Sequence, residues 1–408
     1  MPIVSITSGI FSNAEKIVEK LASETGGRII RDSDLIEILC RHHNIKTDKA
    51  ERLLLGKPLV FNQFTHEKER TFAYMKSIMA DFLKGDNIIF HGFMSHLIPP
   101  EVSHVMKVLV IAELRFRLEQ STNGGELSEK DAEKKIRAWD EKAMSLTDYL
   151  FKKEPWDSSL FDILIPSDKV DTESAVGLIM ENILKDTVKE TAASRKACED
   201  FSLVAKVETI LVENGHDVIV SADNGFVKLK IDKNILMLSR LQDELKSIVL
   251  KIPGVKDVET GVGKNFYKAD VYRRFDFDVP SKVLLVDDER EFVQTLSERL
   301  SIRDVGTHVV YDGGEALDFI EDEEPEVMIL DLKMPGVDGF EVLRRAKNTN
   351  PDIEVIVLTG HGSEKDEKLC MEIGAFAYLQ KPVDIEILNE SIKNAYDKIK
   401  SKSGGVIL

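Results

Sequence analysis

At 408 residues, with 43% hydrophobic and 31% charged residues, the chain has the composition of a soluble protein of about three domains, at roughly 150 residues each. No run approaches the ~18–20 apolar residues of a membrane span, and the opening MPIVSITSGI has no basic region or cleavage signal, so a cytoplasmic location is expected. A net charge of −17 argues against broad nucleic-acid binding, and three scattered cysteines (Cys40, Cys198, Cys370) supply neither a disulfide framework nor CxxC metal spacing.

Two polar stretches, Thr187–Asp200 and "VYRRFDFDVPSK" ending at Lys282, divide the chain into segments 1–190, 195–273 and 280–400. The first segment opens with "PIVSITSG", a strand entering a Gly-containing turn, and "NAEKIVEKLASETG", a helix with a Gly stop. A strand, turn and helix in that order can bind phosphate through backbone N–H groups, which makes Ser8, Gly9, Ser12 and Asn13 nucleotide-binding candidates. The G-x-x-x-x-G-K-[ST] loop needs glycines and a lysine; here one Gly is followed by a bulky Ile10-Phe11 pair, and Glu15 stands where a donor is wanted.

Further on come "RDSDLIEIL", the strand "GDNIIFHGFM", "VMKVLVIAELRFRLEQ" and the long stretch from "LSEKDAEKKIRAWDEKAMSL" to "VGLIMENI". This order resembles the cytidylate-kinase-like family, with a P-loop nucleoside monophosphate kinase fold. The departures are specific. The family's strand-end Gly-Arg is His91-Gly92-Phe93, and its lid Asp-x-x-Arg is Asp140 followed by Glu141-Lys142-Ala143. Arg115 and Arg117 remain, but arginines on a helix are commonplace. Phosphoryl transfer depends on positioning and charge stabilisation, so the expectation is a degenerate kinase fold used for sensing, dimerisation or partner binding. The spacing of His42, His43, His91, His96 and His104 fits no ligand set and favours structural roles.

In the middle segment "SLVAKVETILVENG" is an amphipathic helix, and "HDVIVSADNGFVKLKI" a hairpin around Asp223-Asn224-Gly225. A helix through "LSRLQDELKSIVLKI" and a strand "VKDVETGV" complete an α-β-β-α-β order that resembles the BON domain, a lipid- or protein-binding module. No reactive constellation is visible in it.

The last segment carries −12 of the net charge, with 15 Lys and Arg against 27 Asp and Glu from Pro280 onward. Its strands "KVLLVDD", "THVVYD", "EVMILD", "IEVIVLTG" and "AFAYLQKP" alternate with five helical patterns, which predicts a parallel sheet covered on both faces. Ligands of such sheets bind beyond the carboxyl ends of the strands. Asp287, Asp288, Asp331, Thr359 and Lys381 all stand there. Three converging carboxylates repel unless a cation neutralises them, and an oxygen-only set suits Mg²⁺. Asp331 can then act as a carboxylate nucleophile toward a phosphoryl group.

The motifs "LLVDDE", "MILDLKMPGVDGFEVL", "VIVLTGHG" and "AYLQKP" resemble the receiver domain of two-component response regulators. The resemblance implies that Asp331 accepts phosphate from a sensor histidine kinase, with Asp287, Asp288 and Asp331 as the metal set and Thr359 and Lys381 reading the phosphate. It also implies that Tyr378 is the aromatic residue that moves inward when the Thr hydroxyl is pulled to the phosphate.

The expectation is an α/β multidomain chain: a P-loop-kinase-like domain, a small αββαβ domain and a flavodoxin-like (βα)5 receiver. Mg²⁺ is its expected cofactor. A homodimer is allowed, no DNA-binding helix-turn-helix is visible, and output is expected through contacts with a downstream protein. The alternatives are an active CMP-type kinase gated by the receiver, and a phosphate sink or scaffold.

Overall fold

The structure, a computed structural model, describes residues 3–57, 59–122, 127–233, 235, 237–263, 266, 280–360 and 362–403. Residues 271–279 of the second polar boundary and the end of the "KSKSGG" tail lie outside the described residues. The chain forms two compact units, residues 1–58 with 67–272, and residues 59–66 with 273–408.

In the first unit, strands β1 (Ile3–Ser8), β2 (Arg28–Arg31), β3 (Ile88–His91), β4 (Val105–Ile111) and β5 (Ile163–Pro166) make a parallel sheet in the order β2-β3-β1-β4-β5. All six residues of β1 are buried, as befits the central strand of a sheet covered on both faces. One face packs Ile6, Val108 and Val110 on Ile17, Leu21 and Ile179; the other packs Phe90 on Leu35, Met75 and Leu146. The helix Ala14–Thr25 follows β1 and ends at Gly26, whose φ of 64° closes it in the left-handed conformation. Because β1 has β3 on one side and β4 on the other, a crevice opens at the carboxyl edge beside it.

The same unit holds a second sheet. Strands β6 (Ile219–Asp223) and β7 (Phe226–Ile231) form an antiparallel hairpin across Asn224-Gly225, both at positive φ, and β8 (Asp257–Val262) runs parallel to β7. Val227, Leu229 and Ile231 alternate inward from β7 onto Leu241, Leu245 and Val249 of helix Leu238–Val249. The helix Ala192–Glu213 starts at a capping box on Thr191 and Ser194 and joins this sheet to the larger core. Its Phe201 enters the cluster of Met75 and Phe90, and its Glu208 lies 2.9 Å from Lys76.

In the second unit, β9 (Val283–Val286), β10 (Thr307–Val310), β11 (Val327–Leu330), β12 (Glu354–Thr359) and β13 (Ala377–Gln380) form a parallel sheet ordered β10-β9-β11-β12-β13. Helices Arg290–Ser301, Gly313–Glu323, Gly339–Thr349, Glu364–Ile373 and Ile385–Ser403 alternate with the strands. β9, β11 and β12 are buried throughout, so their apolar runs form the middle of the sheet.

Residues Leu59–His66 also belong to this second unit, although they interrupt the first in sequence. Phe61 is 1% exposed and meets Phe319 edge-on, with ring centroids 5.6 Å apart; Phe319 in turn stacks on His308. Glu323 accepts the Val60 N–H at 2.9 and 2.8 Å.

Candidate functional site

The rim of the second sheet is built by strand ends. β9 delivers Asp287 and Asp288, β11 delivers Asp331, β12 ends on Thr359, and β13 runs into Lys381. Carboxylate oxygens of Asp287, Asp288 and Asp331 all lie within 4.8 Å of one another. Asp287 and Asp331 are buried, and neighbouring backbone fixes them: Asp287 accepts the Glu289 N–H at 2.9 Å, and Asp331 accepts the Leu332 N–H at 2.7 Å. Lys381 reaches across, with Nζ 2.7 Å from Asp287, 2.9 Å from Glu289 and 3.4 Å from Asp331.

Burial raises the Asp287 pKa against the opposing pull of Lys381. Burial disfavours the Lys381 ammonium, yet its bonds to Asp287 and Glu289, with Asp331 beside them, push its pKa up to about 12. The set offers hard oxygen donors close enough to share one cation, which fits Mg²⁺. The Thr359 side chain is fully buried at the same edge. Tyr378 packs toward it over Gly362, where an added Cβ would fall on Tyr378 Oη. That hydroxyl is buried with no hydrogen-bond partner among the described residues.

The crevice of the first unit is a cavity of ≈ 630 Å³ whose walls include Ser8, Gly9, Ser12, Asn13, Glu15, Lys16, Arg31, His91 and Trp139. All four predicted nucleotide-binding residues are thus at one cavity. The loop after β1 turns through left-handed conformations at Phe11 (φ 62°) and Asn13 (φ 60°), where a glycine-rich loop would carry no Cβ. Ser12 Oγ folds back onto Gly9 O at 2.6 Å. Arg117, read in the sequence as a commonplace helical arginine, is instead buried. It makes a two-pronged bond to Asp140 at 3.0 and 2.9 Å and donates to Ile10 O at 2.8 Å, so it ties Asp140 to the loop after β1.

Asp32 and the partners of His91 are not legible in the sequence. Asp32 accepts the N–H groups of Phe93 and Met94 at 2.6 and 3.0 Å, beside Gly92, whose missing Cβ leaves room for that carboxylate. His91 lies 3.2 Å from Ser8 Oγ and 3.1 Å from Glu15, which also pairs with Arg31. Of the other histidines named in the sequence, His42 and His43 have ring centroids 6.5 Å apart, His43 stacks on Tyr74 at 3.5 Å, His96 meets Phe151 and Phe161 edge-on, and His104 lies 3.8 Å from Cys198 Sγ.

Residues 283–393 match the family model of the response regulator receiver domain, and residues 3–169 match that of the cytidylate kinase-like family. The C-terminal five-stranded domain is therefore a response regulator receiver domain of flavodoxin-like fold. Among curated proteins, response regulator MprA of Mycolicibacterium vanbaalenii is 36% identical over 110 residues, 27% of this chain and 48% of that protein. MprA of Mycobacterium avium is 36% identical over 107 residues, 26% of this chain and 47% of that protein. The chain thus spans about half the length of these relatives. Among solved structures, the receiver domain of a LuxO repressor protein from Vibrio parahaemolyticus is 29% identical with a TM-score of 0.30, covering 31% of this chain and 95% of that one. A receiver domain from Clostridium thermocellum is 35% identical with a TM-score of 0.29, covering 30% of this chain and 98% of that one. No helix among the described residues is long and apolar enough to cross a membrane.

Proposed function

We propose that the chain is a two-component response regulator whose Asp331 accepts a phosphoryl group from a sensor histidine kinase. The observation that carries this reading is the convergence of Asp287, Asp288 and Asp331 within 4.8 Å, with Lys381 bonded into the group. An Asp331 carboxylate oxygen attacks phosphorus in line as the phosphorus–nitrogen bond to the donor histidine breaks, and the released imidazole takes up a proton. Asp287, Asp288 and Asp331 would hold Mg²⁺, which when bound neutralises the carboxylates and the phosphoryl oxygens. Lys381 pairs with one phosphoryl oxygen, and the Thr359 hydroxyl donates to another.

Phosphorylation adds roughly −1.5 to −2 charges at Asp331. The pull on Thr359, with Tyr378 packed beside it, then biases the surface of the fourth and fifth strands and helices between two states. In this reading the kinase-like and BON-like parts carry the signal onward by protein contact. The Arg117–Asp140 pair and the bulky loop favour a binding role for the kinase-like part over CMP-type kinase turnover. A phosphate sink is the reading left if phosphorylation changes no partner and no shape.

The test is incubation of the full chain with a small phosphodonor and Mg²⁺, followed by intact mass measurement. One hydroxylamine-sensitive phosphoryl adduct is expected, absent from Asp331→Asn. An adduct that persists in that variant, or none in the wild type, defeats the proposal.

A further inference from the structure

The N-terminal cavity carries a row of three side chains for which phosphoryl transfer has no use. Ser8 Oγ lies 3.2 Å from His91 Nε2, and His91 Nδ1 lies 3.1 Å from Glu15 Oε2. An ionised carboxylate can only accept, so the Nδ1 proton points to Glu15 and Nε2 turns its lone pair to the Ser8 hydroxyl. The row therefore selects the tautomer in which the histidine is a base toward the serine.

Its placement follows from the sheet. Ser8 ends β1 and His91 ends β3, and these neighbours run parallel with Ile6 paired to His91, so both side chains stand at one carboxyl edge. Glu15 lies in the first turn of the helix after β1 and is anchored by Arg31, the last residue of β2. Regular elements thus hold all three members, and each lines the cavity. Burial lowers the His91 pKa while Glu15 opposes that shift, which keeps the imidazole neutral and supports the cation once formed.

We propose that Ser8, His91 and Glu15 act as nucleophile, general base and orienting carboxylate of an acyl hydrolase in this cavity, toward esters of short apolar acids with an anionic alcohol. Ile10, Phe11, Ile36 and Trp139 in the cavity lining suit the acyl chain, and Lys16, also in the lining, suits the anionic group. Ser8 Oγ bonds to the acyl carbon while its proton passes to His91 Nε2. The carbon–oxygen bond to the alcohol then breaks, and the departing alkoxide takes that proton. Water repeats the sequence on acyl-Ser8 and releases the acid. The helix Ala14–Thr25 begins at this cavity, with Asn13, Ala14 and Glu15 in its lining, and the partial positive charge of a helix N-terminus favours the negative charge that develops on the carbonyl oxygen.

The experiment treats the full chain with a fluorophosphonate probe, which loses fluoride to an activated serine, and maps the adduct by peptide mass spectrometry. Labelling of Ser8 is expected, with a rate that rises with pH to a plateau as His91 becomes neutral. His91→Gln should slow labelling by about 100-fold or more and abolish the plateau. Glu15→Gln should slow it by about tenfold and shift the inflection to lower pH. Hydrolysis of 4-nitrophenyl butyrate should follow the same order. A folded wild-type chain that leaves Ser8 unlabelled overturns the proposal, as does labelling of equal rate in His91→Gln.

Discussion

Lys381 holds its ammonium 2.7 Å from Asp287 and 3.4 Å from Asp331, so one side chain stands in for positive charge that the acidic rim requires. The Lys381 side chain is only 10% exposed, which makes its loss costly for the carboxylates left behind. Lys381→Met should destabilise the metal-free receiver by about 3 kcal/mol, and Mg²⁺ should restore more stability to the variant than to the wild type. Urea unfolding with and without Mg²⁺ checks both. Because burial raises the Asp287 pKa, Mg²⁺ affinity should begin to fall on acidification at a higher pH than an ordinary carboxylate site would show.

Tyr378 and Gly362 occupy space that only a glycine permits. Gly362→Ala places a methyl group on Tyr378 Oη and should drive the ring from beside Thr359. Tyr378→Phe removes a buried hydroxyl that has no partner among the described residues and should leave stability unchanged or raise it by up to about 1 kcal/mol. Thermal melts of Gly362→Ala, Tyr378→Ala and the double variant decide the matter. The two substitutions should couple strongly, with the double variant losing less than the sum.

The rim was legible because each of its acids ends an apolar run, and a parallel sheet has only one edge where such ends can meet. Asp287, Asp288, Asp331, Thr359 and Lys381 needed no contact information to be grouped. The contribution of Glu289 was not legible, since an acid at the start of a helix has an ordinary role there and its bond to Lys381 crosses 92 residues. Arg117 and Asp140 sit on two helices 23 residues apart, and no local pattern marks them as partners. Ser8 and His91 are aligned by strand register, which the order of the strands sets and the sequence of neither strand reveals. Leu59–His66 holds a single helical turn, Asn62–Thr65, too short for a periodic pattern in the sequence, and tertiary packing buries Phe61.

That packing gives a separate prediction. Phe61 fills the space beside His308 and Phe319, so Phe61→Ala should cost the second unit about 3 kcal/mol. Glu323→Ala removes the carboxylate that receives the Val60 N–H and should cost about 1–2 kcal/mol. Hydrogen exchange of the Val60 and Phe61 amides should quicken in both variants. Protection equal to wild type would show that the segment owes its order to neither residue.

Asp32 makes the first unit sensitive to mild acid in a direction opposite to ordinary acid denaturation. Its carboxylate keeps two backbone N–H bonds, but burial outweighs them and raises its pKa from 3.8 to about 6. Between those values the folded state holds the proton and the unfolded state does not, so folding takes up a proton there. This group therefore adds stability as pH falls from above 6 toward 4, and that contribution is lost again as pH rises through 6. Part of the residue remains exposed, so the expected size is on the order of 1–2 kcal/mol. Asp32→Asn keeps an acceptor for one of the two N–H groups but cannot titrate. Urea unfolding at pH 5 and pH 7.5 should show a smaller gain, or a larger loss, on acidification for Asp32→Asn than for the wild type. An identical pH response in the two proteins would place the Asp32 pKa outside this window.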